Sequence, residues 1–119
     1  MNPQLLAAGA INGALAVAAG AFGAHALKER LSEKALAVFE TAARYQMYHA
    51  LAIVLCAAIA GGVVGARMSG WLFTGGIVLF SGSLYALALS DVKVLGAITP
   101  LGGLLFLAGW VWLAISALR

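Results

Sequence analysis

The sequence predicts an all-α integral membrane protein: a four-helix bundle with an amphipathic helical segment between the first and second spans. Three observations predict it. Hydrophobic residues make up 64% of the 119 positions and charged residues only 9%, where a soluble domain carries about a quarter charged. A water-soluble chain this short could not hide so much apolar surface, because small domains keep a large exposed fraction; lipid is itself an apolar solvent. Finally, four continuous apolar runs approach the roughly 20 residues needed to cross about 30 Å of hydrocarbon, and none shows the short alternation of a spanning strand.

The first span runs from about 4 to 26 and meets no charge before Lys28. Ala24-His25-Ala26 faintly resembles a cleavage site. The run lacks a basic n-region and exceeds a signal-peptide core in length, so it is expected to stay as a spanning helix. Residues 27–45 form the longest polar stretch. Ser32 suits an N-cap, with Glu33 in the first turn. Leu31, Ala35, Val38, Phe39 and Ala42 fall on one helical face, and Glu33, Lys34, Glu40, Thr41 and Arg44 elsewhere. Glu40 and Arg44 stand four apart in the favourable order. This segment is expected to touch the membrane interface and run into the second span, about 46–66. The third span covers about 69–90 and the fourth about 98–118. Thr99-Pro100 opens the last one, with Thr99 as cap and the proline tolerated in a first turn. All four spans form one domain, 1–119.

Fifteen glycines need a reason. Hydrophobic burial cannot drive helix pairing within lipid; close packing and interhelical hydrogen bonds do, and small residues let backbones approach. Gly9/Gly13 and Gly61/Gly65 form two G-x-x-x-G pairs, and Gly20, Gly23, Gly75, Gly76, Gly82, Gly102, Gly103 and Gly109 extend the small faces. The expectation is internal packing, with a homo-oligomer through Gly/Ala-rich faces as the other use. Trp71, Trp110 and Trp112 suit an aromatic belt. The single cysteine, Cys56, reads as a small buried hydrophobe.

The net charge of +3 is too modest to point to nucleic acid, and membrane lipids are the expected partners. Lys28, Arg30, Lys34, Arg44 and Lys93 share one side of the membrane, and Arg67 and Arg119 the other. The excess of basic residues makes the first side cytoplasmic and leaves both termini outside.

Polar groups in lipid are costly, so each needs a partner or a purpose. The first span ends at His25 and the second begins at Arg44-Tyr45-Gln46-Met47-Tyr48-His49. Antiparallel threading predicts that His25 and His49 meet in a polar junction at the cytoplasmic mouth, joined by Glu40, Arg44, Tyr45, Gln46 and Tyr48, with Ser81, Ser83 and Tyr85 from the third span. This junction is either a clamp between the first two helices or a ligand pocket. Two histidines with no clear third ligand make a poor metal site, so no metal or cofactor is expected. No catalytic residue is assigned: Gly82-Ser83 lies in a spanning helix, which cannot form a nucleophile elbow. Asn12 reads as interhelical glue.

Several motifs are also familiar. Phe22-Gly23-Ala24-His25-Ala26-Leu27, Phe39-Glu40-Thr41-Ala42, Arg44-Tyr45-Gln46-Met47-Tyr48-His49-Ala50-Leu51, Phe80-Ser81-Gly82-Ser83-Leu84-Tyr85 and Thr99-Pro100-Leu101-Gly102-Gly103 with Gly109-Trp110 resemble the YgdD/YwdK-like small membrane proteins. That family is catalogued as domain of unknown function 423, and the transmembrane protein 256 group is similar. The resemblance implies a bacterial inner-membrane protein with four spans; it brings no activity or cofactor. The expected function is therefore non-enzymatic: a lipid- or small-ligand-binding, or structural, membrane protein. The alternative is a small oligomeric transporter or channel. Proton-coupled cation export would need a carboxylate inside a span, and Glu29, Glu33, Glu40 and Asp91 all fall in loops or near the interface. An enzyme would need a general base within reach of a substrate proton, and the sequence shows neither.

Overall fold

A computed structural model describes residues 1–119, the side chain of Ala24 excepted. The chain is helical nearly throughout. Helix α1 covers Pro3–Ala18 and continues as a π-helical turn over Ala19–Gly23. A short α2, Ala24–Ala26, follows. Then come α3, Glu33–Ile59, and α4, Ala66–Ser90. A 3₁₀ turn over Lys93–Ala97 leads into α5, Thr99–Ala117. Four helical stretches are long and apolar enough to cross a bilayer. The molecule is 49 Å along its longest axis, close to the roughly 40–45 Å of a bilayer with its headgroup regions.

The helix ends follow from local chemistry. Asn2 caps α1, its side chain accepting from Leu5 N–H at 3.1 Å, and Pro3 occupies the first turn, where no N–H is needed. The backbone N–H of Asn2 also donates to the Ala57 carbonyl at 3.1 Å, which pins the start of α1 to the end of α3. Ser32 caps α3 as expected, accepting from Ala35 N–H at 3.1 Å. Helix α4 stops at Asp91, which takes the left-handed conformation with φ 57°, one that aspartate tolerates better than most residues.

The amphipathic segment is the opening of α3 itself rather than a separate interfacial helix. At 27 residues α3 is about 40 Å long, some 10 Å more than the hydrocarbon it crosses. Its far end also differs from the expected Ala66: the helix ends at Ile59, and residues 60–65 form a turn. Gly61-Gly62 and Gly65 punctuate this stretch. Its apolar composition does not distinguish a turn from a span, so the Gly61/Gly65 pair lies in the turn, where Gly61 is open and Gly65 packs closely against Ser116 and Trp112 of α5.

Helix α1 packs along α3, α3 along α4, and α4 along α5. The core lies in the half of the bundle near the termini, where Leu5, Ile53, Cys56, Ala57, Ala66, Phe73, Ile77 and Phe106 are buried together. Glycines permit the close approach. A Cβ at Gly9 would stand 2.7 Å from Val54 Cγ2, and one at Gly102 would overlap the backbone of Phe80. Gly13 and Gly20 have nothing nearby and face outward, so only half of the Gly9/Gly13 pair serves internal packing.

Candidate functional site

The buried aromatic cluster around His49 is built by glycines. Gly76 on α4 leaves room for the ring of Phe106, and Gly109 on α5 leaves room for Phe73. Phe106 then stacks on His49, with centroids 3.6 Å apart and planes within 5°. Phe73 and Trp110 close the other sides, with centroids 5.4 and 5.9 Å from the imidazole. Both ring nitrogens are engaged. His49 Nδ1 lies 2.8 Å from the Tyr45 carbonyl, which can only accept, so Nδ1 carries the proton. Trp110 Nε1–H donates to His49 Nε2 at 3.1 Å, so Nε2 is the acceptor. These partners define the neutral Nδ1–H tautomer.

The expected meeting of His25 and His49 is not formed. His25 is exposed in α2, just beyond Gly23, whose backbone lies against the ring of Phe39. His49 lies roughly 15 Å farther along α3 at about 1.5 Å of rise per residue. The bounds 46–66 put His49 near the start of a span, whereas α3 covers Glu33–Ile59 and carries His49 past its midpoint. His49 is therefore deep in the bundle, tied to α5 instead of α1. Among the described residues, no three His, Cys, Asp or Glu side chains converge.

Glu40, Arg44 and Tyr48 are exposed and stand apart from the cluster. Glu40 and Arg44 line a shallow cleft against Ala16 and Gly20 without forming an ion pair among the described residues. Tyr45 is partly exposed, 4.9 Å between centroids from Phe80.

Gln46 and Tyr85 belong to a second assembly, with Asn12 as its third member. Tyr85 Oη donates to Gln46 Oε1 at 2.7 Å, Gln46 Nε2 to Asn12 Oδ1 at 3.1 Å, and Asn12 Nδ2 to the Ala8 carbonyl at 2.9 Å. This chain crosses from α4 through α3 to α1. It lies along a laterally open groove of about 500 Å³ whose other walls include Leu15, Phe39, Ile77, Val78 and Leu89. Each amide nitrogen carries two hydrogens, and each makes one hydrogen bond among the described residues. One N–H per amide is left without a partner among the described residues.

Ser81 Oγ donates to the Ala42 carbonyl at 2.8 Å, joining α4 to α3. Ser83 Oγ bonds back to the Phe80 carbonyl and lies 2.6 Å from Thr99 Oγ1. Thr99 thus spends its hydroxyl across the α4/α5 seam and not as a cap; Ile98 occupies the cap position. Both serines serve structure. At the opposite end, Ser69 Oγ, Ser116 Oγ and Trp112 Nε1 are buried without a hydrogen-bond partner among the described residues. Where α3 begins and α4 ends, Lys93 Nζ donates to Asp91 at 2.7 Å. That hydrogen bond, then the lysine's charge, holds the Asp91 carboxyl below the usual carboxylate range, with Lys34 adding to the effect.

Trp110, expected in an aromatic belt, is instead the partner of His49, and Asn12 acts as the interhelical glue that its place in the sequence predicts. The signal for Asn12 was its amide near the middle of a span, which demands a partner in hydrocarbon.

Comparison with known families agrees with this architecture. Residues 19–103 match the family model described as "Protein of unknown function (DUF423)". The chain belongs to the DUF423 family. A "UPF0382 membrane protein" of Staphylococcus epidermidis (strain ATCC 12228) is 50% identical over 112 residues, spanning 93% of this chain and 92% of the relative. UPF0382 membrane protein YwdK of Bacillus subtilis (strain 168) is 46% identical over 114 residues, 93% of each chain. UPF0382 membrane protein SSP2132 of Staphylococcus saprophyticus is 49% identical over 112 residues, again 93% of each. No solved structure matches. This is a membrane protein, as these relatives are named, with four helices long enough to span a bilayer.

Proposed function

We propose that this DUF423 member is a non-enzymatic binder of a lipophilic small molecule, held in the groove between α1 and α4. One observation carries the reading: an otherwise apolar groove that opens sideways to lipid has a hydrogen-bonded polar chain along it, Asn12–Gln46–Tyr85. Lipid tails need no such groups, and polar side chains deep in a bundle are costly unless used. The spare amide N–H groups suit an acceptor oxygen, so the ligand class is a hydrophobic molecule bearing a carbonyl or ether oxygen. The chain also ties three helices together, and in that role the groove organises the bundle when empty.

The experiment is native mass spectrometry of protein purified in mild detergent, followed by extraction and identification of retained molecules. The expected result is a discrete bound mass in the parent protein and in Trp71→Phe, and its loss in Gln46→Leu. Retention by Gln46→Leu, or no bound mass in the parent, would overturn the proposal.

The charge distribution further supports placement in the bacterial inner membrane with the Lys28–Lys34 and Lys93 end in the cytoplasm. In a Cys56→Ser background, single cysteines at Lys28 and Gly62 labelled in intact cells test this: only the Gly62 site should react with an impermeant maleimide. Labelling at Lys28 instead would reverse the orientation.

A further inference from the structure

A second, separate seam runs between α3, α4 and α5. At the end where α3 begins and α4 stops, a cavity of about 320 Å³ is lined by Ser32, Lys34, Val38, Leu87, Asp91 and Lys93. Deeper along the same seam, a groove of about 430 Å³ includes Tyr45, Phe80, Gly103, Leu104 and Leu107. Two relationships place these cavities in line. Val38 and Tyr45 are seven residues apart on α3, and Leu87 and Phe80 are seven apart on α4. Seven residues are two helical turns, so each pair shares a face at a separation of roughly 10 Å. The inner pair meets α5 through Phe80, and Leu87 meets the 3₁₀ turn that precedes α5. Tyr45 and Phe80 have centroids 4.9 Å apart, Phe80 and Phe106 have centroids 5.3 Å apart, and a Cβ at Gly96 would lie 3.7 Å from Leu87.

The two cavities differ in chemistry as the two ends of a lipid differ. The outer one combines two cationic side chains, Lys34 and Lys93, with apolar Ala35, Val38, Leu87 and Ala88. Asp91 holds Lys93 at 2.7 Å, and Lys34 makes no ion pair among the described residues. Asp91 lowers the net charge of the cavity, but Lys34 stands in the first turn of α3, whose helix dipole also favours an anion. The inner cavity is lined mainly by aromatic and aliphatic side chains, with the notch of Gly103 in its wall and the hydrogen-bonded His49 at its side.

We propose that Lys34 and Lys93 hold the phosphate of an anionic phospholipid whose acyl chain lies in the groove over Tyr45, Phe80, Leu104 and Leu107. The site is distinct from the Asn12–Gln46–Tyr85 groove and does not depend on it.

The test titrates purified protein in detergent with phosphatidylglycerol and with phosphatidylcholine of matched chains, and counts bound lipid by native mass spectrometry. Phosphatidylglycerol should be retained preferentially. Lys34→Gln and Lys93→Gln should each reduce the preference about five-fold, the weight of one lysine at an anionic headgroup. Both lysines are exposed, so the variants fold, which circular dichroism and thermal melting verify. Gly103→Leu fills the groove and should weaken both lipids. Millimolar inorganic phosphate should not displace phosphatidylglycerol, because the acyl chain supplies part of the binding. Gln46→Leu should leave the preference intact, which separates this site from the other groove. Equal retention of the two lipids, a preference unchanged in both lysine variants, or displacement by inorganic phosphate would each overturn the proposal.

Discussion

Trp110 donates its indole N–H to Nε2 of His49, α5 to α3, at 3.1 Å. The bond fixes the imidazole in one tautomer and leaves neither ring nitrogen free for other chemistry. In Trp110→Phe a smaller aromatic ring stands in for the indole and the donor is lost, so a buried acceptor goes unpaired. The expected cost is about 1 kcal/mol, read from unfolding by a denaturing detergent. Trp71→Phe, on a side chain as exposed as Trp110 but outside the His49 cluster, should change stability negligibly. Equal effects would show that the hydrogen bond contributes nothing.

Gly102 and Gly13 give opposite expectations for the same substitution. A Cβ at Gly102 would collide with the Phe80 backbone, which cannot rotate away, whereas one at Gly13 meets nothing. Gly102→Ala should therefore part the α4/α5 seam and destabilise by about 2 kcal/mol or more. Gly13→Ala should be neutral or add up to roughly 1 kcal/mol through helix propensity. Thermal melts of the two variants in one detergent decide the matter. A neutral Gly102→Ala would contradict the seam as described.

Asn12 and Gln46 are expected to couple. A double-mutant cycle of Asn12→Leu and Gln46→Leu should give an interaction energy of about 0.6 kcal/mol, the average for interhelical hydrogen bonds in membranes. Gln46→Leu also strips Tyr85 of its acceptor, so the Gln46 variant should be the weaker of the two singles. Strict additivity would show that the 3.1 Å contact carries no energy.

Asp91 stands in left-handed backbone at φ 57°. Asp91→Gly and Asp91→Ala both lose the exposed ion pair with Lys93, but only the glycine removes the Cβ penalty of the left-handed backbone. The two variants should differ by about 1 kcal/mol in favour of glycine. Chemical unfolding of both measures it, and a more stable alanine variant would argue against the left-handed cap.

Ser69 and Ser116 hold buried hydroxyls with no partner among the described residues. Replacing an unsatisfied polar group by a methyl removes its desolvation cost, so Ser69→Ala and Ser116→Ala should each be neutral or stabilising, by up to about 1 kcal/mol. Gly65→Ala, whose side chain would run into Ser116, should destabilise, and Ser116→Gly should partly rescue it. Loss of stability in either alanine variant alone would mean that the hydroxyl has a partner in solution.

Much of the fold is legible in the sequence because transfer into hydrocarbon is a property of composition and length. The four apolar runs declare four spans, Ser32 declares the start of α3, and Asn12 in the middle of an apolar run declares the need for a partner. Depth and rotation are not legible in the same way. In lipid a helix is apolar on nearly every face, so no polar stripe tells which side turns inward. The second span is a case in point. Its apolar run looks continuous through Gly65, yet the helix is shifted toward its polar start, from Glu33 to Ile59. That shift carries His49 from the expected interface into the middle of the bundle. The pairing of His49 with Trp110, and the chain from Tyr85 through Gln46 to Asn12, were decided only by the tertiary structure. The reason is steric: where Gly9, Gly76, Gly102 and Gly109 let one backbone settle on a neighbouring helix determines which polar groups fall within hydrogen-bonding reach.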